Sequence, residues 1–194
     1  MRVIAGTAGG IRLKTPRGGA VRPTAARVKE ALFNILGPRL PGALFWDLFA
    51  GSGAIGIEAL SRGAAEALFV EKERAHLAYV EENLSRTKLT ARARLIRQDV
   101  MLALPQLGRE KKQADLIFAD PPYQERIVPG LLEAADRCRL LRPGGLIVLE
   151  LFARHRFWPQ DHPAIDLRRY GGTNLIFIEA SALAACRRDG NFDA

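Results

Sequence analysis

Leu44-Phe45-Trp46-Asp47-Leu48-Phe49-Ala50-Gly51-Ser52-Gly53-Ala54-Ile55-Gly56 passes from an apolar run through a glycine turn into a helix-compatible stretch. Leu44–Phe49 reads as a buried strand and Ala54–Arg62 as the helix that follows it. The same alternation repeats downstream. Strands are predicted at Ala67–Glu71, Arg94–Arg97, Asp115–Asp120 and Leu146–Leu151, with helices at Arg74–Leu84, Val100–Leu107 and Val128–Leu141. Strand–helix repetition calls for a mainly parallel sheet covered by helices on both faces, an α/β fold. Ile165–Tyr170 and Asn174–Ala180 are separated only by Gly171-Gly172-Thr173, a connection so short that those two strands must be antiparallel.

Upstream of this repeat, Arg2–Ala5 and Ile11–Lys14 are short strand-like stretches joined by Gly6-Thr7-Ala8-Gly9-Gly10, which suggests a hairpin. Pro16–Ala20 reads as a loop, and Pro23 and Thr24 open a helix with Thr24 as its N-cap. Val28, Ala31, Leu32, Ile35 and Leu36 give that helix one apolar stripe, and Gly37-Pro38 ends it. The expected organisation is an N-terminal basic hairpin and helix over residues 1–38, followed by a catalytic domain over 39–183.

The chain has 194 residues, 48% of them hydrophobic and 26% charged, which is the balance of a globular protein. It excludes collagen, coiled coil and disorder. No apolar run is long enough to span a membrane, and residues 1–6 lack the apolar core of a secretory signal. Cys138 and Cys186 have no metal-ligand spacing, so no metal site is expected and the expected location is the cytoplasm. Of the net charge of +8, most lies in residues 1–30, where Arg2, Arg12, Lys14, Arg17, Arg22, Arg27 and Lys29 face the single acid Glu30. A basic segment on a nearly balanced body suggests a polyanionic partner such as nucleic acid.

Four successive predicted strands end in a carboxylate: Asp47, Glu71, Asp99 and Asp120. In open α/β sheets ligands sit beyond the carboxyl ends of the strands, so these acids form a candidate rim. Gly51, Gly53 and Gly56 satisfy the dinucleotide-binding spacing, with Glu71 about 20 residues on. Asp47, however, would repel a pyrophosphate and suits a cation. S-adenosylmethionine carries an ammonium, a sulfonium and a carboxylate but no phosphate. Asp47 can hold the ammonium, the amides of the glycine turn can receive the carboxylate, Glu71 can accept from the ribose hydroxyls, and Asp99 from the adenine amine. Gly51 and Gly53 let the backbone approach the ligand.

The fourth strand ends in Asp120-Pro121-Pro122-Tyr123. Two prolines stiffen the turn and fix where its carbonyls point. Asp120 and the Pro121 carbonyl would accept the two protons of an exocyclic amine while Tyr123 stacks on the base. Two acceptors pull the nitrogen towards tetrahedral geometry and aim its lone pair at the methyl sulfonium, so catalysis rests on positioning and electrostatics without a metal.

Asp47–Gly56, Glu71, Asp99 and Asp120–Tyr123 resemble the motifs of class I S-adenosylmethionine-dependent methyltransferases acting on amino groups. Arg2–Gly6, Arg22-Pro23-Thr24, Arg27–Asn34 and the run from Asp47 through Ala64 resemble more narrowly the RsmD family, whose members methylate guanine N2 in 16S ribosomal RNA. The resemblance covers residues 2 to about 180, although Ala26 stands where an aspartate is expected. It implies a Rossmann-like sheet of seven strands with the last antiparallel. It also implies a 16S rRNA or assembling small-subunit partner, no membrane and a monomeric enzyme. Arg12, Lys14, Arg22, Thr24 and Arg27 are candidate RNA contacts.

Three competing readings are weaker. A DNA adenine-N6 methyltransferase shares the Asp120–Tyr123 chemistry but usually carries a large recognition segment. A non-catalytic RNA-binding assembly factor has no reason to keep all four acids. A nicotinamide-dependent oxidoreductase leaves Asp120–Tyr123 unexplained. His76, His155 and His162 read as surface or structural residues, and Tyr170 as hairpin packing. Glu150, inside an apolar strand, is either a buried hydrogen-bonded acid or a rim residue.

Overall fold

The computed structural model describes residues 1–15, 23–122, 127–153 and 165–183. Its seven strands form one sheet, in the order β3-β2-β1-β4-β5-β7-β6. The strands are β1 (Leu44–Leu48), β2 (Glu66–Val70), β3 (Ala93–Ile96), β4 (Ala114–Ala119), β5 (Leu141–Phe152), β6 (Asp166–Tyr170) and β7 (Thr173–Glu179). The α-helices are α1 (Pro23–Leu36), α2 (Ala54–Ser61), α3 (Arg74–Thr87), α4 (Val100–Arg109) and α5 (Ile127–Arg137). None of the described helices is long and apolar enough to cross a membrane. The chain divides into two compact units, Met1–Asp99 and Val100–Ala194.

In the first unit β1 pairs in parallel with β2, and β2 with β3. Both β1 and β2 are buried at four consecutive positions, the pattern of parallel strands covered on both faces. Phe33, Phe45 and Phe69 are fully buried in its core. The predicted N-terminal hairpin exists as a bridge between Arg2 and Arg12, with the Val3 N–H donating to the Ile11 carbonyl at 3.0 Å. Helix α1 begins at Pro23, so Thr24 stands inside the first turn rather than at the cap. Proline suits that opening position because its missing N–H would have no helical partner.

Residues 1–15 are stitched to α2 and α3. The Ser61 hydroxyl donates to the Ala5 carbonyl (2.6 Å) and accepts from the Ala8 N–H (2.9 Å). A Cβ at Gly6 would fall 1.9 Å from the Ser61 carbonyl oxygen, so only glycine fits. Glu58, fully buried on α2, accepts from the Ile4 and Ala5 N–H groups (2.7 and 3.0 Å), from Arg62 Nε (2.7 Å) and from Lys29 Nζ (3.0 Å). Burial pushes the Glu58 carboxyl up, but Lys29, Arg62 and the Ile4 N–H outweigh it and hold the group below the usual glutamate range.

In the second unit β4 pairs in parallel with β5, while β7 runs antiparallel to both β5 and β6. Sequence periodicity extends the α5 helix to Leu141, but it ends at Arg137. Arg139 adopts a left-handed conformation (φ 51°) and the Leu140 N–H closes back on the Ala135 carbonyl at 3.0 Å. Leu141 already pairs with Ala114, so β5 starts five residues before the predicted Leu146.

Candidate active site

In the first unit the glycine turn between β1 and α2 is braced by two carboxylates. Asp47, on β1 and only 2% exposed, accepts the Gly56 N–H at 2.8 Å through Oδ2. Glu71, directly after β2, accepts the Gly51 N–H (2.8 Å) through Oε2 and the Glu73 N–H (2.9 Å) through Oε1. Gly51 (φ 55°) and Gly53 (φ 74°) lie in the left-handed region that admits glycine at least cost. Gly56 meets a different constraint, because a Cβ there would lie 2.3 Å from the Phe69 ring. Gly53 is the N-cap of α2 and offers no side chain to its first-turn amides. Those amides point the positive end of the helix at whatever occupies the turn.

Two side chains of α3, His76 and Asn83, adjoin Glu71 and the glycine turn. His76 Nδ1 lies 3.7 Å from Glu71 Oε2. Asn83 is fully buried on α3, where its Nδ2 donates to the Ser52 carbonyl (2.9 Å) and the Lys14 carbonyl (2.8 Å), and its Oδ1 accepts from the Lys14 N–H (2.8 Å). One side chain thereby holds both the glycine turn and the N-terminal segment. The sequence signal was a polar residue on the buried stripe of Leu77, Val80, Leu84 and Thr87. Asp99 is exposed, immediately before α4.

In the second unit β4 is buried at five of its six positions and delivers Asp120 at its end, followed by a buried Pro121 and an exposed Pro122. Asp120 is reached by solvent, yet protein packs closely enough around its carboxyl that burial pushes it up to about 6. Glu150, half-buried on β5, is pushed up to about 7, first by burial and then by repulsion from Asp120. Tyr123 lies outside the described residues.

The basic candidates are more scattered in status. Arg12, Lys14 and Arg27 are exposed, and Lys14 forms a surface ion pair with Glu82. Arg22 lies outside the described residues, as does the side chain of Thr24. Among the described residues, no group of three His, Cys, Asp or Glu side chains is arranged to hold a metal ion.

The strand order, with an antiparallel β7 inserted beside β5, is that of the Rossmann-like class I methyltransferases. A family model described as "Conserved hypothetical protein 95" matches residues 1–179, and the chain belongs to that family, the RsmD family. The ribosomal RNA small subunit methyltransferase D of Escherichia coli (strain K12) is 39% identical over 150 residues, spanning 77% of this chain and 71% of that protein. The protein of the same name from Haemophilus influenzae is 34% identical over 151 residues, covering 77% and 78%. Among solved structures, a hypothetical protein of Thermus thermophilus superposes with a TM-score of 0.79 at 34% identity, over 92% of this chain and 99% of that one. A 16S rRNA N2 G1207 methyltransferase of Thermus thermophilus, in complex with AdoMet and guanosine, gives 0.68 at 26% identity, over 84% of this chain and 44% of its own.

Proposed function

We propose that this protein transfers the methyl group of S-adenosylmethionine to the exocyclic N2 amine of a guanine in 16S rRNA of the small ribosomal subunit. The observation that carries the reading is Asp120, an acceptor carboxyl set directly after β4 and followed by Pro121-Pro122, two residues whose φ is fixed. The names of the 34–39% identical relatives, and the AdoMet and guanosine of the solved neighbour, support the donor and the base.

The methyl donor is a substrate consumed at each turnover. The first unit suits it chemically. The amides of the glycine turn and of the α2 N-terminus other than Gly56, which Asp47 already holds, receive the amino-acid carboxylate; Asp47 draws its ammonium, and Glu71 and Asp99 take the ribose hydroxyls and the adenine amine. A carboxylate has about four acceptor positions, so the two backbone N–H groups on Glu71 leave room for hydroxyls. In the second unit Asp120 and the Pro121 carbonyl accept from the target amine and Tyr123 stacks on the base. Binding orients the lone pair of the nitrogen at the methyl carbon, which is catalysis by position and fixed charge.

Residues 1–38 form, in this reading, the RNA-contacting region, with Arg12, Lys14, Arg22, Thr24 and Arg27 on the phosphate backbone. Labelled S-adenosylmethionine incubated in parallel with small-subunit RNA and with DNA, followed by nucleoside analysis, tests the proposal. Label in N2-methylguanosine is the expected result. Label in N6-methyladenine of DNA would replace the proposal with an adenine methyltransferase, and no label in any nucleic acid would favour an assembly factor.

A further inference from the structure

We propose that Glu150 pairs with Asp120 as a proton relay, with Asp120 receiving the proton released when the target amine is methylated and Glu150 carrying it away. The proposal rests on the methyl-transfer reading above and assigns Glu150 a part in it.

The sheet puts the two carboxyls together. Ala119 of β4 and Leu149 of β5 are the last registered pair of two parallel strands, and Asp120 and Glu150 are the next residue on each. Neighbouring strands run about 4.8 Å apart, and residues side by side in a parallel pair emerge on the same face. Among the described residues neither carboxyl has a hydrogen bond or an ion pair. The same two strands treat another acid differently: Asp115 of β4 is met by Arg142 of β5 at 3.1 Å. On the far side of Glu150 stands the fully buried Leu175 of β7, its register partner. Beyond Leu175 lies Arg168 of β6, which is held by Asp166 at 2.8 Å and lies over the Phe177 ring. No described cation therefore relieves the pair, and Asp120 is the charged group that acts on Glu150. Two like charges that no described cation relieves ionise in sequence, here at about 6 and about 7, so near neutrality the pair can take up or give up one proton.

The reaction needs such a group. The lone pair of the amine nitrogen forms the new N–C bond, and the C–S bond breaks with its electron pair going to sulfur, turning the sulfonium into a thioether. The nitrogen is left with a positive charge and two hydrogens. It gives one as a proton to the Asp120 carboxylate, which passes it to Glu150 and so to water. Asp120 regains its charge before the next turnover.

The test is single-turnover methyl transfer by the full chain on small-subunit RNA from pH 5.5 to 8.5, with donor affinity and melting temperature measured alongside. Wild type should show a rate rising through two ionisations. Glu150→Gln should lower the rate at pH 7.5 at least about tenfold, the small end of what a proton-transfer group contributes. It should lose the upper ionisation, keep donor affinity within about twofold, and melt higher than wild type at pH 8 because a repelling charge is gone. Glu150→Asp should restore part of the rate and the second ionisation. An active wild type with an indistinguishable Glu150→Gln profile would overturn the relay alone, as would a Glu150→Gln protein that melts lower and is not rescued by Glu150→Asp. A wild type inactive on every RNA would overturn both the relay and the methyl-transfer reading.

Discussion

The carboxylates at the ends of β1 and β2 and those at the ends of β4 and β5 are built in opposite ways. Asp47 and Glu71 are nearly buried and commit oxygens to backbone N–H groups of the glycine turn and of Glu73. Asp120 and Glu150 have no such partners among the described residues; burial raises both, and repulsion from Asp120 raises Glu150 further. Hydrogen bonds to an anion fix its charge and its direction, which suits a group that must hold a ligand. A carboxyl left without them can change its protonation at little cost, which suits a group that handles a proton. In the proposed reaction the first pair of acids binds and the second handles a proton.

The largest effect is expected at Asp120. Asp120→Asn should slow methyl transfer by about 10²- to 10³-fold, the range for losing one preorganised electrostatic partner, while the donor still binds. Single-turnover kinetics beside calorimetry checks both halves of the statement.

Stability comes next. Lys29→Met removes one partner of the fully buried Glu58 and should cost about 3 kcal/mol, at the lower end for breaking a buried pair because Arg62 and two N–H groups remain. Urea unfolding measures it. The loss should fall on the N-terminal segment as well, since Lys29 Nζ also donates to the Arg2 carbonyl at 3.3 Å.

On the donor side, Glu71→Gln should weaken S-adenosylmethionine binding by about 1–3 kcal/mol, the value of a charge-assisted hydrogen bond. The proportional loss in rate at saturating donor should be small. Equal losses in affinity and saturated rate would contradict a role for Glu71 confined to holding the donor.

The pH dependence of stability separates the two kinds of acid again. Glu58, held below its ordinary value, stabilises the fold above the unfolded glutamate range, and that contribution is lost as pH falls through its lowered value. Asp120 and Glu150, held above theirs, contribute stability that is complete below about pH 4. It drains away as pH rises towards about 7. Melting temperature followed from pH 3 to 9 should therefore fall on both sides, and Glu150→Gln should flatten only the upper side.

The smallest effect belongs to the basic surface. Arg12→Ala and Arg27→Ala should each lower RNA affinity modestly and reduce the log–log salt slope by about 0.7 to 0.9, one phosphate's worth. An unchanged slope in both would move RNA recognition away from residues 1–38.

Much of this was legible in the sequence, for reasons that differ by element. β1, β2, β3 and β4 lie within one residue of their predicted starts because each is a short run set between helical or turn-forming stretches, which leaves little room to slide. The α5–β5 boundary was hidden. Leu140-Leu141 continues a helical stripe, and the residue that stops the helix, Arg139, is not a glycine and gives no warning of its left-handed conformation. Asp120 announces itself through Pro121-Pro122, whereas Glu150 left two readings open until the β4–β5 register put it beside Asp120. Glu58 and Lys29 could not be read at all. A charged residue is by default a surface residue, and what makes burial tolerable here are partners drawn from residues 4 and 5 and from two helices.

The measurement closest to the centre of this account sets Glu71→Gln against Asp120→Asn, reading donor Kd by calorimetry and methyl-transfer rate at saturating donor in the same preparations. A crossed result is expected: Glu71→Gln binds the donor about 5- to 150-fold more weakly yet transfers methyl at close to the wild-type rate, and Asp120→Asn binds normally yet transfers at least about a hundredfold more slowly. Parallel losses in both quantities for both variants would contradict it.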